Sequence, residues 1–252
     1  MQAVVALGFG AFFVSSLLIG LRLLWLARRN RGLPELLISL GILGIGPAGF
    51  ALMVFAMLFG AKNPPLARVL LAAAQLAVGG GATSTYVFTW RVFRPHSAIA
   101  RACVFAAGAL YLVVVVGRWV ADSYVVPMRL DFWSNVSSFT LIACMLWGSF
   151  ESLRYHGLMR RRARLGLADP VLTNRFLLWG LGIGSAGVGS LIGNLVMMVT
   201  GRGLDQLDGL TLSNSLFGLA AAVLMWVAFL PPPFYRRWIE ARAAAKGYLA
   251  SA

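Results

Sequence analysis

Acidic residues are scarce in this chain: its 252 residues include eight of them against 22 lysines and arginines, a formal net charge of +14. Histidine and cysteine are rarer, with two of each. Metal centres and acid–base or nucleophilic sites need clusters of such side chains, so we expect neither a metal site nor enzymatic activity. Because the chain is 60% hydrophobic and only 12% charged, it also lacks the composition of a soluble nucleic-acid-binding domain.

Long apolar runs take the place of these groups. Seven blocks approach the roughly 20 residues that a helix needs to cross a bilayer core, and none has a charge near its middle. The blocks cover residues 3–26, 36–60, 66–89, 99–120, 132–151, 176–200 and 210–230. The first is too long for a signal-peptide core. We predict an all-α, polytopic membrane protein with seven transmembrane helices over residues 1–230, in which Cys103 and Cys144 are free thiols.

The basic residues are distributed unequally between the two sides of the predicted membrane. The loops after the first, third and fifth blocks and the C-terminal tail hold 17 of the 22, and the other side holds five. Since cytoplasmic loops carry the excess of Lys and Arg, the N-terminus is predicted outside and the C-terminus in the cytoplasm. Arginine greatly outnumbers lysine among abundant alanine and glycine, which is typical of a GC-rich bacterial genome and indicates a bacterial inner membrane.

Four arginines lie close together in the predicted loop after the fifth block: Arg160, Arg161, Arg162 and Arg164. We expect them to contact anionic headgroups on the cytoplasmic face, at about 1 kcal/mol each near the surface. Docking of a cytoplasmic protein is the alternative. Asp169 and Pro170 have the pattern of an N-cap and a first helical residue, so the sixth helix is predicted to begin in the cytoplasm. Residues 231–252 are predicted to form an amphipathic tail along the inner membrane face.

Two pairs of matching segments indicate an internal repeat. Residues 44–49 (GIGPAG) match residues 182–187 (GIGSAG), and residues 21–29 match residues 153–161 at a similar offset. Both matches relate the first two blocks to the fifth and sixth in the same membrane direction. They predict parallel three-helix units over about 1–95 and 132–230, joined by an inverting linker helix over 99–120. Chance matching in a glycine-rich chain is the alternative.

This architecture resembles that of SWEET-type carriers, which contain parallel repeats, and the seven-helix topology is similar to that of microbial rhodopsins. Neither resemblance includes a diagnostic motif. Retinal requires a lysine in the last helix for its Schiff base, whereas the only lysines here, Lys62 and Lys246, lie in a loop and in the tail. We therefore expect no retinal and no other cofactor.

Uncharged polar side chains remain as candidates for binding. Four amides fall in the outer half of four different blocks, and an amide that faces lipid is unfavourable, so they should face the interior. The predicted pocket, which opens outward, comprises Gln75, Tyr111, Trp133, Asn135, Ser138, Asn194, Ser213 and Asn214. The repeat places Gln75 opposite Asn214 across the bundle. Ordinary hydrogen bonding between helices is the alternative. All eight acids lie in loops or at block ends, so we expect no buried charge.

These observations favour a carrier or permeation pathway for a small uncharged solute. A receptor-like sensor that uses the same pocket is the first alternative. Because the tail over residues 231–252 is too short for an output domain, such a sensor would need a separate cytoplasmic partner. The second alternative is an assembly factor or accessory subunit of a membrane complex.

Overall fold

The computed structural model describes residues 2–60, 62–126, 131–202 and 207–244, and within these ranges all regular structure is helical. Seven helices are long and apolar enough to cross a membrane, which confirms the number of predicted spans. The second span, Leu33–Gly60, is built from two helices and a π-helical turn. The elements are α1 (Gln2–Asn30), α2 (Leu33–Leu43), the π-helical turn (Gly44–Ala48), α3 (Gly49–Gly60), α4 (Pro64–Phe93), α5 (Ala98–Val120), α6 (Phe132–Ala163), α7 (Pro170–Thr200), α8 (Asp208–Phe229) and α9 (Pro233–Ala244).

Side-chain caps set the starts of four helices. The side chains of Asn63, Ser97, Asp131 and Asp169 each accept a hydrogen bond from a backbone N–H in the first turn of α4, α5, α6 and α7 respectively. Such caps satisfy donors that the helix itself leaves unpaired. The predicted cap and helical proline at Asp169 and Pro170 are confirmed.

The inner parts of α6 and α7 extend beyond the predicted blocks. The fifth block ends at 151, but α6 continues to Ala163, so the segment predicted as a basic loop is largely helical. Hydropathy marks only the part of a helix that crosses lipid, whereas arginine is a good helix former. Arg160, Arg161 and Arg162 thus form the exposed last turn of α6, and Arg164 caps it.

Six of the seven spans pack in a closed ring. In order around the ring, the helices are α1, α2, α4, α6, α7 and α8. Each packs on the next, and α8 packs back on α1. Helix α5 lies outside this ring against α4 and α6. The outward faces carry exposed large apolar side chains such as Phe105, Leu112 and Val199, as expected of helices surrounded by lipid. We call the two ends of the ring inner and outer, after the predicted orientation.

Pro47 lies in the π-helical turn between α2 and α3. Proline cannot donate a backbone hydrogen bond and disturbs a regular helix, and the wider turn absorbs this disturbance. On the facing side, a Cβ built on Gly44 would lie 2.7 Å from the carbonyl oxygen of Ala77 in α4. This close approach of α2 to α4 therefore requires glycine.

The contacts of the repeated glycines agree only in part with the predicted repeat. Gly44 and Gly182 both pack against the third helix of their own unit, α4 and α8. The next matched pair packs against a serine of the first helix in each unit, Ser16 in α1 and Ser149 in α6. The last pair contacts non-corresponding helices. The repeat, like the membrane orientation, therefore stays a prediction.

The tail forms the short helix α9, which packs against α7 and buries Ile239 and Ala243. The Asn174 amide of α7 donates a hydrogen bond to the Tyr235 hydroxyl. Residues 245–252 of the predicted tail lie outside the described part of the chain.

Candidate ligand-binding site

A central chamber lies inside the ring, about halfway along the spans, with a volume of about 80 Å³. Helices α1, α2, α4, α6, α7 and α8 all contribute to its wall. Most of the wall is aliphatic and includes Ile19, Ile42, Ile45, Met145, Ile183 and Met225. The wall also contains glycines and alanines, whose small side chains leave space for the chamber where the helices meet.

Two hydroxyls and a thiol in the chamber wall use their donors within their own helix or on a neighbouring backbone, whereas the Trp179 indole N–H is buried without a hydrogen-bond partner among the described residues. Ser16 donates to the carbonyl of Phe13 in α1, and Thr85 donates to that of Gly81 in α4. The Cys144 thiol lies 3.5 Å from a carbonyl oxygen of α4, and the two cysteines are free, as predicted. A chamber of this kind favours apolar groups, because it has few polar groups left to pair with a polar ligand.

Aromatic rings close the chamber toward the inner end. Trp179, which lines the chamber, packs edge-on against Phe229 at 5.4 Å between ring centroids. Further in, Tyr155 packs against Phe176 at 4.8 Å. We call this set of rings the aromatic layer; its members are Phe88, Phe93, Tyr155, Phe176, Trp179 and Phe229.

A buried ion pair lies beside the aromatic layer. The Glu151 side chain is only 3% exposed, and its two oxygens accept hydrogen bonds from Arg94 Nε at 2.7 Å and Arg154 Nε at 3.0 Å. Because Arg94 follows α4 and Glu151 belongs to α6, this inner clamp joins the two helices. The expectation of no buried charge is thus wrong at Glu151. Hydropathy placed this residue at a span end, but α6 continues for three further turns.

A second cavity, the outer pocket, lies between the chamber and the outer end, with a volume of about 180 Å³. Phe12 and Ile45 line both cavities, so the two are adjacent at these side chains. The outer pocket contains an amide and a charged group, Gln75 and Arg118, among apolar neighbours. It is therefore the more polar of the two cavities.

Arg118 is the second buried charge that the sequence did not predict. It belongs to the last turn of α5 and is 7% exposed. Nη1 donates to the Gln75 side-chain oxygen at 3.2 Å, and Nη2 donates to the Ser123 carbonyl at 3.3 Å. The guanidinium also lies 4.5 Å from the centre of the Tyr124 ring. The Gln75 amide in turn donates to the Ser137 hydroxyl at 2.7 Å, so α4, α5 and α6 meet at this group.

Asp131 supplies negative charge nearby without pairing directly with Arg118. Its side chain caps α6 by accepting from Ser134 N at 2.7 Å. Burial acts to raise the pKa of this carboxyl, but hydrogen bonds from Ser123 and Ser134 and the charge of Arg118 outweigh it and hold the pKa below its usual value. Asp131 is therefore ionised at neutral pH and lowers the local positive potential.

Three other predicted residues lie near Gln75 and Arg118. Tyr111 is buried on the same face of α5 as Arg118, two turns away, and packs against Gly79 of α4. Trp133 packs against Gly117 of α5. Asn135 has a buried side-chain oxygen without a hydrogen-bond partner among the described residues.

Three of the remaining predicted residues belong to a different part of the ring, in α7 and α8, whereas Ser138 belongs to α6 beside Ser137. Asn194 donates to the Ser190 carbonyl of its own helix α7, and Asn214 of α8 packs against Gly193 of α7. Ser138 and Ser213 are half-buried. The four amides thus fall into two groups, with Gln75 at the α4–α5–α6 contact and Asn135 in the first turn of α6, and with Asn194 and Asn214 on the neighbouring helices α7 and α8. Packing between neighbouring helices accounts for the second group.

A helical spacing in α5 could have identified Arg118 from the sequence. Tyr111, Val114 and Arg118 are three or four residues apart and are all buried, which is the spacing of one helix face. Counting loop charges for orientation obscured this pattern, because Arg118 was counted among the charges at the outer ends of the spans.

No family model matches this chain, no curated protein matches its sequence, and no solved structure matches its fold. The class of the protein therefore rests on its own features. Seven helices long and apolar enough to cross a membrane, packed around a common chamber, are compatible with a multi-pass integral membrane protein.

Proposed function

We propose that this chain is a non-enzymatic membrane carrier that binds a small solute in the central chamber and receives it from the outer end. The observation that supports this most is the asymmetry of the chamber. Toward the outer end it borders the outer pocket through Phe12 and Ile45, whereas toward the inner end the aromatic layer and the inner clamp close it. A carrier in its outward-facing state requires such a difference between its two ends.

The size of the two cavities limits the solute. The chamber, at about 80 Å³, is smaller than the ~150 Å³ apolar cavity that admits benzene in a soluble protein. The outer pocket adds about 180 Å³. A solute with a narrow apolar chain can occupy both by passing between Phe12 and Ile45, and a polar end would then remain in the outer pocket.

Transport further requires that the inner end open. The inner clamp joins α4 to α6, and both helices also contribute rings to the aromatic layer. Separation of these two helices would therefore release the clamp and the layer together. This step would open the chamber toward the inner end.

A receptor-like sensor is the second candidate, favoured by a groove at the inner end. This groove, of about 310 Å³, lies between α6, α7 and α9 and includes Arg160, Trp238 and Arg242. Arginine and tryptophan are frequent anchors in protein interfaces, so a cytoplasmic partner of acidic character would fit here. The same arginines would otherwise contact anionic lipid headgroups.

Binding of hexanamide, an uncharged short-chain solute, tests the chamber. Ala222 lines the chamber, and Ala220 of the same helix is exposed on its outer face. In nanodiscs, Ala222→Leu is expected to weaken hexanamide binding tenfold or more by filling the chamber, while Ala220→Leu leaves it unchanged. Equal affinity in both variants and the wild type would contradict the proposal.

Counterflow in proteoliposomes then separates a carrier from a sensor. Vesicles preloaded with unlabelled hexanamide should transiently accumulate labelled hexanamide faster than protein-free vesicles, measured at low temperature where passive diffusion is slow. Ala222→Leu should remove the difference. Binding without counterflow would favour the sensor.

A further inference from the structure

The guanidinium of Arg118 is buried, and no carboxylate of the described part of the chain pairs with it. Within the described ranges, no Asp or Glu lies within ion-pairing distance of it, although three ion pairs form elsewhere. Two of its N–H groups donate to neutral oxygens, and Nε is buried without a partner. Arginine has more donors than these two hydrogen bonds use. Buried charges in membrane proteins are normally paired or functional.

The neighbours of Arg118 compensate its charge only in part. Gln75, the Ser123 carbonyl and the Tyr124 ring are neutral. Asp131, whose charge acts on Arg118, caps α6 through Oδ1 and forms no ion pair with the guanidinium. Neutral dipoles and a nearby charge that forms no ion pair replace the lost hydration incompletely. An anion in contact with the guanidinium would complete the site.

The cavity beside Arg118 indicates the rest of the ligand. The wall of the outer pocket around the guanidinium and Gln75 is apolar and includes Met53, Leu71 and Val78. On the far side of Phe12 and Ile45, which line both cavities, lies the aliphatic chamber. A charged group at one end and an apolar channel behind it match an amphiphilic anion.

We propose that Arg118, oriented by Gln75, binds the carboxylate of a small amphiphilic acid whose unbranched apolar chain extends into the chamber. This inference rests on the proposed function and names its solute class. The planar guanidinium presents paired N–H groups that match the two oxygens of a carboxylate. The sequence favoured an uncharged solute because it counted Arg118 among the charges at the outer ends of the spans. Its burial beside the cavity changes that expectation.

Competing binding of hexanoate and hexanamide tests the assignment, since the two differ in charge but hardly in shape. Affinities are measured at pH 7 in zwitterionic nanodiscs by calorimetry. The wild type should prefer hexanoate about tenfold or more, the usual effect of a charge-assisted hydrogen bond. Arg118→Met should abolish the preference and keep hexanamide binding, and Arg118→Lys should retain part of it. Absence of a preference in the wild type, its persistence in Arg118→Met, or failure of both probes to bind would overturn the proposal.

Two further variants test whether the effect of Arg118→Met comes from misfolding or from a general change in charge. Gln75→Glu places a carboxylate beside Arg118, so the protein should fold, exclude hexanoate and still bind hexanamide. Arg68 lies at the same end but already pairs with Asp122 at 2.8 Å, and Arg68→Met should leave the preference intact. Loss of the preference in Arg68→Met, or unchanged hexanoate binding by Gln75→Glu, would contradict a specific site.

An anionic lipid headgroup is the alternative ligand for Arg118. Replacing part of the nanodisc lipid with phosphatidylglycerol should leave hexanoate affinity unchanged, and competition by this lipid would overturn the carboxylate assignment. The proposed function fails in a distinguishable way. In that case the hexanoate preference would still depend on Arg118 and Ala222→Leu would still weaken binding, but proteoliposomes would show no counterflow.

Discussion

The inner and outer ends of the α4–α6 contact bury charge in opposite ways. At the inner end, Glu151 is enclosed by Arg94 and Arg154, so the buried carboxylate has two cationic partners. At the outer end, the hydrogen-bond partners of Arg118 among the described residues are all neutral. The inner end also carries the aromatic layer, whereas the outer end carries a cavity. Both ends are formed by α4 and α6. Among the described residues, the buried charge is ion-paired at the inner end and is not ion-paired at the outer end.

This difference indicates different roles for the two ends. A buried charge with full partners holds helices together and has no capacity left for a ligand. A buried charge with unused donors beside a cavity can bind one. We therefore interpret the inner clamp as the contact that keeps the inner end closed, and Arg118 as the group that binds the ligand. Substitutions at the two ends should affect different properties, and the following predictions test that separation.

The largest effect is expected at the inner clamp. Glu151→Gln leaves two arginines without their carboxylate, and removal of one partner of a buried pair is strongly destabilising. Because the arginines are about 40% exposed, we expect a loss of roughly 2–3 kcal/mol in unfolding free energy. Denaturation in mixed micelles measures it, with Glu240→Gln on the exposed side of α9 as the control. A stability equal to that of the control would contradict a structural role for the clamp.

A smaller effect is expected at Gln75, and almost none at Asn214. Gln75→Leu removes the acceptor for Arg118 and the donor to Ser137, which should lower stability by about 1–3 kcal/mol and reduce hexanoate binding. Asn214→Leu changes only a packing contact with Gly193 and should leave hexanoate binding unchanged. Calorimetry on both variants checks this. The pairing of the two amides that the repeat predicts would instead require equal losses.

The smallest effect is expected at Asp131. Asparagine also caps helices well, so Asp131→Asn should preserve α6 while removing a negative charge near Arg118. Hexanoate binding should then become tighter, by about two- to fivefold for a partly screened charge, and hexanamide binding should not change. Weaker hexanoate binding would show that Asp131 does not act on the site through its charge.

The sequence predicted the spans well because crossing a bilayer depends on length and hydropathy, which are local properties. It also identified Gln75, whose amide is indeed buried. The partners of that amide depend on the order of helices in the ring and on the position of α5 outside it, which no local pattern records. Arg118 and Glu151 were missed for a related reason. Both lie near a span end, and only the facing helices decide whether such a charge meets water or protein.

The order of accessibility along the α4–α6 contact tests the central claim most directly. Two cysteines are introduced into a chain whose natural cysteines are replaced, at Ala74 in the outer pocket and at Ser152 beside the inner clamp. Cysteines at Val125 and Gly166, in the predicted outer and inner loops, report the orientation. The reagent is a small anionic thiosulfonate that does not cross membranes.

The account predicts that Ala74→Cys reacts from the outside, like Val125→Cys, and that Arg118→Met slows this reaction by removing the attraction for the anionic reagent. Ser152→Cys should react from neither side, although Gly166→Cys reacts from the inside. Labelling of Ser152→Cys from the inside at the rate of Gly166→Cys, or no labelling of Ala74→Cys from the outside, would contradict the account.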